Sequence, residues 1–91
     1  MTHPKSDAVA RRARAACPQT LSLLGEYLAH PAISSDPAHH GNVRALAERI
    51  AGDLKKMGMS GVRLLELSDA LPCVVAERIQ DPKLPTVLVY G

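Results

Sequence analysis

His39 and His40 are the residues of this 91-residue chain whose types and spacing first indicate metal chemistry. Imidazole nitrogens are common zinc ligands, but a zinc site needs three or four protein ligands. No cluster of carboxylates or cysteines in the sequence completes such a set, and adjacent loop residues point in different directions. Both histidines are therefore interpreted as solvated loop residues, and the isolated His3 and His30 are interpreted in the same way.

Two short motifs contain residue types used in nucleophilic catalysis or phosphate binding. The Ser-Ser-Asp motif at residues 34–36 places hydroxyls beside a carboxylate, but it lacks the glycine-flanked elbow of a catalytic serine. It predicts a turn and a helix cap instead. The segment at residues 58–61 lacks the Lys-Ser/Thr pair of a phosphate-binding loop and predicts a helix end. The sequence therefore predicts no catalytic, cofactor-binding or metal-binding residue within its own length.

The two cysteines, Cys17 and Cys73, are far apart and lack metal-type spacing. Such cysteines are typical of small buried hydrophobic residues in a reducing compartment. We therefore expect a cytoplasmic protein with two reduced, buried thiols. The sequence alone leaves open a disulfide between them.

Composition and charge argue against several classes of partner. The formal net charge of +2 is too small to indicate a nucleic acid or another polyanion. With no Phe or Trp, the core offers no aromatic platform on which bases could stack. The local excess of Arg11, Arg12 and Arg14 is interpreted as a solvated helix face, with an organelle transit peptide as the alternative. No apolar segment approaches the ~20 residues that span a membrane.

The first 29 residues predict a tail and a helix. Residues 1–6 are polar and are expected to be disordered. From residue 7 to residue 29 the pattern is helical, and Ser6 or Asp7 can cap its start. The positions near one face of this helix are mostly apolar: Val9, Ala13, Ala16, Thr20, Leu24 and Leu28.

Pro18 lies inside this helical pattern. It lacks an amide hydrogen and its ring clashes with the carbonyl four residues earlier, so we expect a kink or a break near residues 14–17. Two helices, with Pro18 at the first position of the second, are the alternative. The pattern ends at Ala29 and His30, because a residue before Pro31 avoids the helical conformation.

The best-defined helix follows a loop. Residues 31–42 hold two prolines, two serines, an aspartate and a glycine, which predict an irregular segment. Asn42 can cap the helix that follows, and Gly58 is placed to end it. The apolar residues between them recur at helical spacing: Val43, Leu46, Ala47, Ile50, Leu54 and Met57.

Residues 62–67 predict a first strand and residues 73–79 a second, and the turn between them allows an antiparallel hairpin. Residues 85–91 are an unbroken, largely apolar run rather than an alternating one. Such a run is typical of a strand covered on both faces, in the interior of a parallel or mixed sheet. The predicted fold class is α/β, with two N-terminal helices, the first kinked or split near Pro18, followed by three strands of a partial mixed sheet.

Three strands and two helices cannot easily cover both faces of a strand at residues 86–91. At least one apolar edge is left open, and such an edge favours pairing with another chain. We therefore expect the missing neighbours of this strand to lie outside the 91 residues. We also expect the chain alone to self-associate through an exposed sheet edge. The alternative is a last strand placed centrally in a small sheet.

The ordered set of motifs resembles a known family. A Pro-Ala-Ile-Ser-Ser-Asp-Pro segment at residues 31–37 follows a helix, the next helix ends in Leu-Lys-Lys-Met-Gly-Met at residues 54–59, and Leu-Pro-Thr-Val-Leu-Val-Tyr-Gly at residues 84–91 follows a strand pair. This order is similar to the start of the zinc-dependent exopeptidases related to carnosinase, carboxypeptidase G2 and acetylornithine deacetylase. The last segment is most similar to the dipeptidase branch.

The resemblance implies that residues 1–91 are the N-terminal part of a larger zinc-peptidase catalytic domain. The full-length enzyme would be a metal-dependent dipeptidase or amidohydrolase with two zinc ions. In such enzymes the first metal ligand is a histidine directly after the glycine that corresponds to Gly91, and the catalytic aspartate lies two residues beyond that histidine.

These positions, the later ligands and the lid domain used for dimerisation are expected to lie outside the chain. The resemblance therefore implies a segment that is inactive alone, whose partner is the remainder of the catalytic domain and which has no nucleic-acid or membrane partner. The peptide substrate would bind only to the full-length enzyme. A small stand-alone α/β binding or regulatory module is the alternative function.

Overall fold

The computed structural model describes residues 3–91. Met1 and Thr2, which belong to the tail predicted at residues 1–6, lie outside the described residues. Over the described range the chain is an α/β protein with three α-helices, one 3-10 helix and a two-stranded antiparallel sheet. It divides into two units, Met1–Pro31 and Ala32–Gly91. No helix in the described range has the length and apolar character to cross a membrane.

Helix α1 (Pro4–Ala15) begins earlier than the sequence pattern predicts. His3 is its N-cap, and the His3 Nδ1 accepts a hydrogen bond from the main-chain N–H two residues later, at 3.1 Å. Residues 4–6, expected in a disordered tail, therefore form the first turn of the helix. The cap is His3 rather than Ser6 or Asp7, because an imidazole nitrogen can accept the same bond as a hydroxyl or carboxylate.

The helical pattern breaks at Ala16, inside the predicted window. Helix α2 (Cys17–Leu28) begins after this single residue, so the chain forms two helices rather than one kinked helix. Pro18 occupies the second position of α2, one later than expected, where its missing N–H leaves no helical bond unmade. The end of the pattern is confirmed, since Ala29 is the C-cap.

No described residue of α1 or α2 has a fully buried side chain. Leu24 and Leu28, on the apolar face of the pattern, remain 49% and 74% exposed. The sequence pattern thus predicts the helical conformation of this unit correctly, and its apolar face remains accessible.

The second unit opens with a turn and a 3-10 helix at Pro37–His39. Asp36 caps this helix, because its carboxylate accepts a hydrogen bond from the Ala38 N–H at 3.0 Å. The predicted turn and cap at residues 34–36 are therefore confirmed.

Helix α3 (His40–Lys56) follows the 3-10 helix directly. Its N-cap position is His39, and Asn42 lies within the first turn rather than at the predicted cap. The helix starts earlier than expected because the 3-10 helix already turns the chain. The end is predicted correctly, since Met57 is the C-cap and Gly58 adopts a positive φ of 87° directly after it.

Two main-chain hydrogen bonds close the end of α3. The Gly58 N–H donates to the Lys55 carbonyl at 3.0 Å, and the Met59 N–H donates to the Leu54 carbonyl at 3.1 Å. This is the Schellman pattern, which requires a left-handed residue and therefore favours glycine. It turns the chain directly into the sheet.

Strands β1 (Ser60–Leu65) and β2 (Cys73–Glu77) pair antiparallel, which confirms the predicted hairpin. β1 starts two residues before the predicted 62–67, and β2 ends two residues before the predicted end at Ile79. The register is irregular near the start of β1, where Gly61 has a positive φ of 59°.

Helix α3 packs on both strands of the hairpin. Ala47 is 7% exposed and is the one fully buried residue in the described part of the chain. Its small side chain lies among half-buried neighbours on the predicted face, at Val43, Leu46, Ile50 and Leu54. Across the same layer, the Arg44 guanidinium pairs with the Glu66 carboxylate just after β1.

The third predicted strand is not formed. Residues 85–91 have no strand conformation, and the described sheet contains β1 and β2 alone. The apolar run was expected to lie in the interior of a sheet, and instead all seven of its residues are exposed. The sequence supplies strand-forming residues at this position, but no described strand pairs with them.

Candidate functional site

The most distinctive surface feature of the second unit lies where the chain leaves β2. A tight turn at residues 81–84 reverses the chain direction. The Leu84 N–H donates to the Asp81 carbonyl at 3.0 Å, and the Lys83 N–H donates to the Asp81 carboxylate at 2.9 Å. Asp at the first and Pro82 at the second position favour this turn. The following residues run back beside β2 without pairing with it.

An open groove of about 780 Å³ separates the two arms of this reversal. One wall is residues 74–79, in and after β2, and the other wall is residues 84–89. Leu54 and Met59 add apolar surface to it. We call this feature the edge groove.

The edge groove follows the free edge of β2. β2 pairs with β1 on one side, and within residues 3–91 no strand pairs with its other side. The consecutive lining residues 74–79 alternate between the two faces of the sheet, and Leu54 of α3 and Arg63 of β1 line the groove with them, so the groove borders β2 along its length. An unpaired edge presents main-chain donors and acceptors that a further strand can satisfy.

The far wall of the groove ends in the most exposed apolar run of the described chain, which we call the terminal segment, residues 86–90. Val87, Leu88 and Val89 are 82%, 85% and 86% exposed, and Tyr90 is 92% exposed. Contiguous exposed apolar residues of this kind mark sites of interaction with another protein surface. The segment has no charged residue, and β-branched side chains favour an extended conformation.

The charged residues that line the edge groove are of both signs. Arg63 and Arg78 lie there together with Glu77 and Asp81. The Arg63 guanidinium donates to the Gly61 carbonyl at 3.1 Å and is thereby held at the start of β1. The balance of charges gives no preference for an anion or a cation. The chemistry of the groove therefore fits an extended, mainly apolar peptide segment that bonds through its main chain.

The two adjacent histidines, His39 and His40, contact residues in and beside the loop before α3. The His40 Nε2 lies 3.1 Å from the Ser34 carbonyl, and the His39 Nδ1 lies 3.2 Å from the Asn42 amide nitrogen. The His39 Nε2 is 3.9 Å from the Asp36 carboxylate. The two rings thus contact different groups, as their adjacency predicts, and His39 is half-buried while His40 is exposed. In residues 3–91 no group of three metal-type side chains comes together.

A smaller pocket of about 320 Å³ brings together residues that are distant in the sequence. It is lined by Ser34 from the loop before α3, by His40 at the start of α3, and by Ser68 and Asp69 from the hairpin turn. Serine, histidine and aspartate are the residue types of hydrolytic triads. However, the His40 Nε2 contacts the Ser34 main-chain carbonyl rather than a hydroxyl. No sequence signal could reveal this convergence, because it depends on how the hairpin packs on α3.

Both cysteines are free and exposed. The prediction that Cys17 and Cys73 are buried small hydrophobes is therefore wrong, and no disulfide joins them. Cys17 opens α2, which buries no side chain, and Cys73 opens β2 opposite Leu65, which is 47% exposed.

Comparisons with known proteins found no match: no protein-family model, curated protein or solved structure matches this chain. The likeness to zinc exopeptidases therefore rests on the order of sequence motifs alone. The structure contributes the edge groove and the terminal segment, which are independent of that likeness.

Proposed function

We propose that residues 1–91 form the N-terminal part of the catalytic domain of a zinc-dependent exopeptidase of the dipeptidase branch. The complete enzyme hydrolyses peptide or amide bonds in the cytoplasm, and this segment is inactive alone. The single observation that supports the proposal best is the exposure of the terminal segment. The run from Val87 to Tyr90 favours a strand and is 82–92% exposed. To be buried as a strand, it needs neighbouring elements that the described residues do not supply.

The edge groove is a second observation that supports the same proposal. Its two walls, at residues 74–79 and 84–89, are both suited to pairing with a further strand. A mixed sheet that continues through the groove would cover the terminal segment and satisfy the free edge of β2. The remainder of the catalytic domain is the proposed source of these strands.

In this proposal the chain positions the active-site residues of the complete enzyme and supplies no catalytic residue itself. Two zinc ions in such enzymes would polarise the scissile carbonyl and supply a hydroxide. Helix α3 and the hairpin would hold the terminal segment, so that residues beyond Gly91 emerge at the carboxyl end of a central strand. In open α/β sheets, ligands bind at this end of the strands.

A chimera tests this proposal. Residues 1–91 would replace the corresponding segment of a dipeptidase of this family, and zinc-dependent dipeptide hydrolysis would be measured. We expect a folded enzyme with activity, because the terminal segment would supply the central strand. In the same chimera, Val89→Asp should abolish activity, whereas Leu67→Asp, exposed and outside the edge groove, should not. A chimera that folds and binds two zinc ions but does not hydrolyse dipeptides would count against the proposal.

The alternative function is a stand-alone α/β module that binds an extended peptide. The edge groove favours it, because an exposed strand edge beside apolar side chains is a common site of strand addition. Titration of the isolated chain with labelled apolar peptides, followed by fluorescence anisotropy, distinguishes the two. Saturable, sequence-selective binding by the chain alone, together with an inactive chimera, would favour the module.

A further inference from the structure

We propose that two copies of this 91-residue chain interlock, each placing its terminal segment in the edge groove of the other. The inference concerns the chain by itself and does not depend on the exopeptidase function. It names the surface, the occupant and the symmetry of an association that sequence alone predicts only in general terms.

The first step is that one chain carries both halves of the contact. The terminal segment, residues 86–90, is apolar, uncharged and exposed. The edge groove offers a free strand edge lined by apolar side chains such as Val74, Val75 and Ile79. Any two copies therefore possess two matching segment-and-groove pairs.

The second step concerns the order of strands. In one copy the groove lies between β2 and that copy's own terminal segment. If the partner's segment enters this groove, it lies between β2 and the first copy's segment. The same placement in the second copy gives one continuous order: β1, β2, the partner's segment, the first copy's own segment, and the partner's β2 and β1.

This order fills both grooves at once. The two terminal segments become neighbours across a two-fold axis, and each is flanked by a strand on both sides. The arrangement is closed, because each groove is filled and no further copy can add at this edge. It therefore predicts a dimer rather than an open fibre.

The third step is the area of contact. Three aliphatic side chains at roughly 60–120 Å² each and one tyrosine at roughly 150–250 Å² give each segment about 500 Å² to bury. Two segments and the groove surfaces that they cover together bury roughly 1,500 Å², which lies within the size range of a stable protein interface. One segment in one groove would bury only about half as much, so the reciprocal arrangement is favoured over one-sided docking.

Sedimentation equilibrium of the full chain over a range of concentrations tests the proposal. We expect a mass that saturates at twice the 9.7 kDa of one chain. Tyr90→Lys, in the segment and outside the groove lining, and Ile79→Lys, in the groove, should each weaken the dimer at least about tenfold, because each places a charge in both apolar contacts. Leu67→Lys, which is exposed but outside the groove, should leave the dimer unchanged.

A mixture of the two weakened variants provides the decisive measurement. In a Tyr90→Lys and Ile79→Lys heterodimer, both defects fall in the same segment-and-groove pair, because Tyr90 does not line the groove of its own chain. The other pair keeps an unsubstituted segment and groove. The mixed dimer should therefore be tighter than either variant alone.

Three results would overturn the proposal. A wild-type chain that stays monomeric, or an assembly that grows beyond the dimer without saturating, contradicts the closed arrangement. A dimer that Ile79→Lys does not weaken would mean that segments pair with segments only, outside the groove. Each of these outcomes is a mass measurement, so it is independent of the activity of any chimera.

Discussion

Strand β2 and the terminal segment are similar in sequence but opposite in environment. Both are short and rich in valine, and both have a composition that favours strands. β2 pairs with β1 and is covered by α3, so Val74, Val75 and Ala76 are half-buried. The terminal segment has neither neighbour, and its side chains are exposed. Apolar composition therefore does not decide which of the two segments is buried. Burial depends on whether a paired strand and a covering helix are present.

The difference in burial between β2 and the terminal segment arises from the elements that are next to each of them in the sequence. β2 follows β1 after a short turn, and α3 enters β1 through the Schellman motif at Gly58 and Met59. Each contact is therefore local and costs little loop entropy. The terminal segment also follows a tight turn, at residues 81–84, but this turn leaves the edge groove between the segment and β2.

The largest expected effect contrasts the two regions directly. Ala47→Asp places an unpaired charge between α3 and the sheet and should destabilise the second unit by about 3–5 kcal/mol or abolish its cooperative unfolding. Val87→Asp should change the free energy of unfolding by less than about 0.5 kcal/mol, because this residue is 82% exposed. Urea unfolding followed by circular dichroism, at a concentration where the chain is monomeric, measures both.

Ala45→Asp is the matched control, since Ala45 is exposed on the same helix. It should behave like the terminal-segment variant. Equal destabilisation by Ala47→Asp and Val87→Asp would mean that the segment is packed in solution, and the comparison between the two regions would fail.

A smaller effect tests the local geometry that joins α3 to the sheet. Gly58→Ala should cost about 1–2 kcal/mol, because a side chain at a φ of 87° is strained even though no atom obstructs it. Gly52→Ala lies inside the helix, also without obstruction, and should stabilise the unit by about 0.5–1 kcal/mol. Thermal unfolding of the two variants distinguishes them, and effects of the same sign would contradict the assigned helix end.

The smallest effect concerns the ion pair between Arg44 and Glu66, which links α3 to the residues after β1. Both side chains are close to half exposed, so Glu66→Gln should cost only about 0.2–1 kcal/mol. The loss should shrink at about 1 M salt, because exposed charges are screened. Asp69→Asn is the control, and a cost for Glu66→Gln that is independent of salt would show that packing rather than charge is responsible.

Much of the local structure could be predicted from the sequence. The break near Pro18, the cap at Asp36, the helix end at Gly58 and the hairpin all follow from residues a few positions apart. The start of α1 was missed because His3 is an unusual cap. The burial of Cys17 and Cys73 was predicted wrongly because a composition-based expectation ignores which elements pack on them.

The candidate site was predictable only in part. The unbroken apolar run at residues 85–91 singled out a segment that contributes to the edge groove. The predicted covered strand is wrong, because these residues are exposed and have no strand conformation. The edge groove was not predictable, since it depends on the turn at residues 81–84 and on the free edge of β2. The same holds for the pocket that gathers Ser34, His40 and Asp69 from separate parts of the chain.

The sequence by itself determined where the helices and the hairpin form, because these depend on hydrogen bonds and side-chain patterns within a few residues. Only the tertiary structure decided which apolar residues are covered. Ala47 is buried because α3 and the hairpin pack together at that point, whereas Val87 is exposed because no described strand or helix packs against it. Burial is a property of two surfaces in contact, and a single stretch of sequence specifies only one of them.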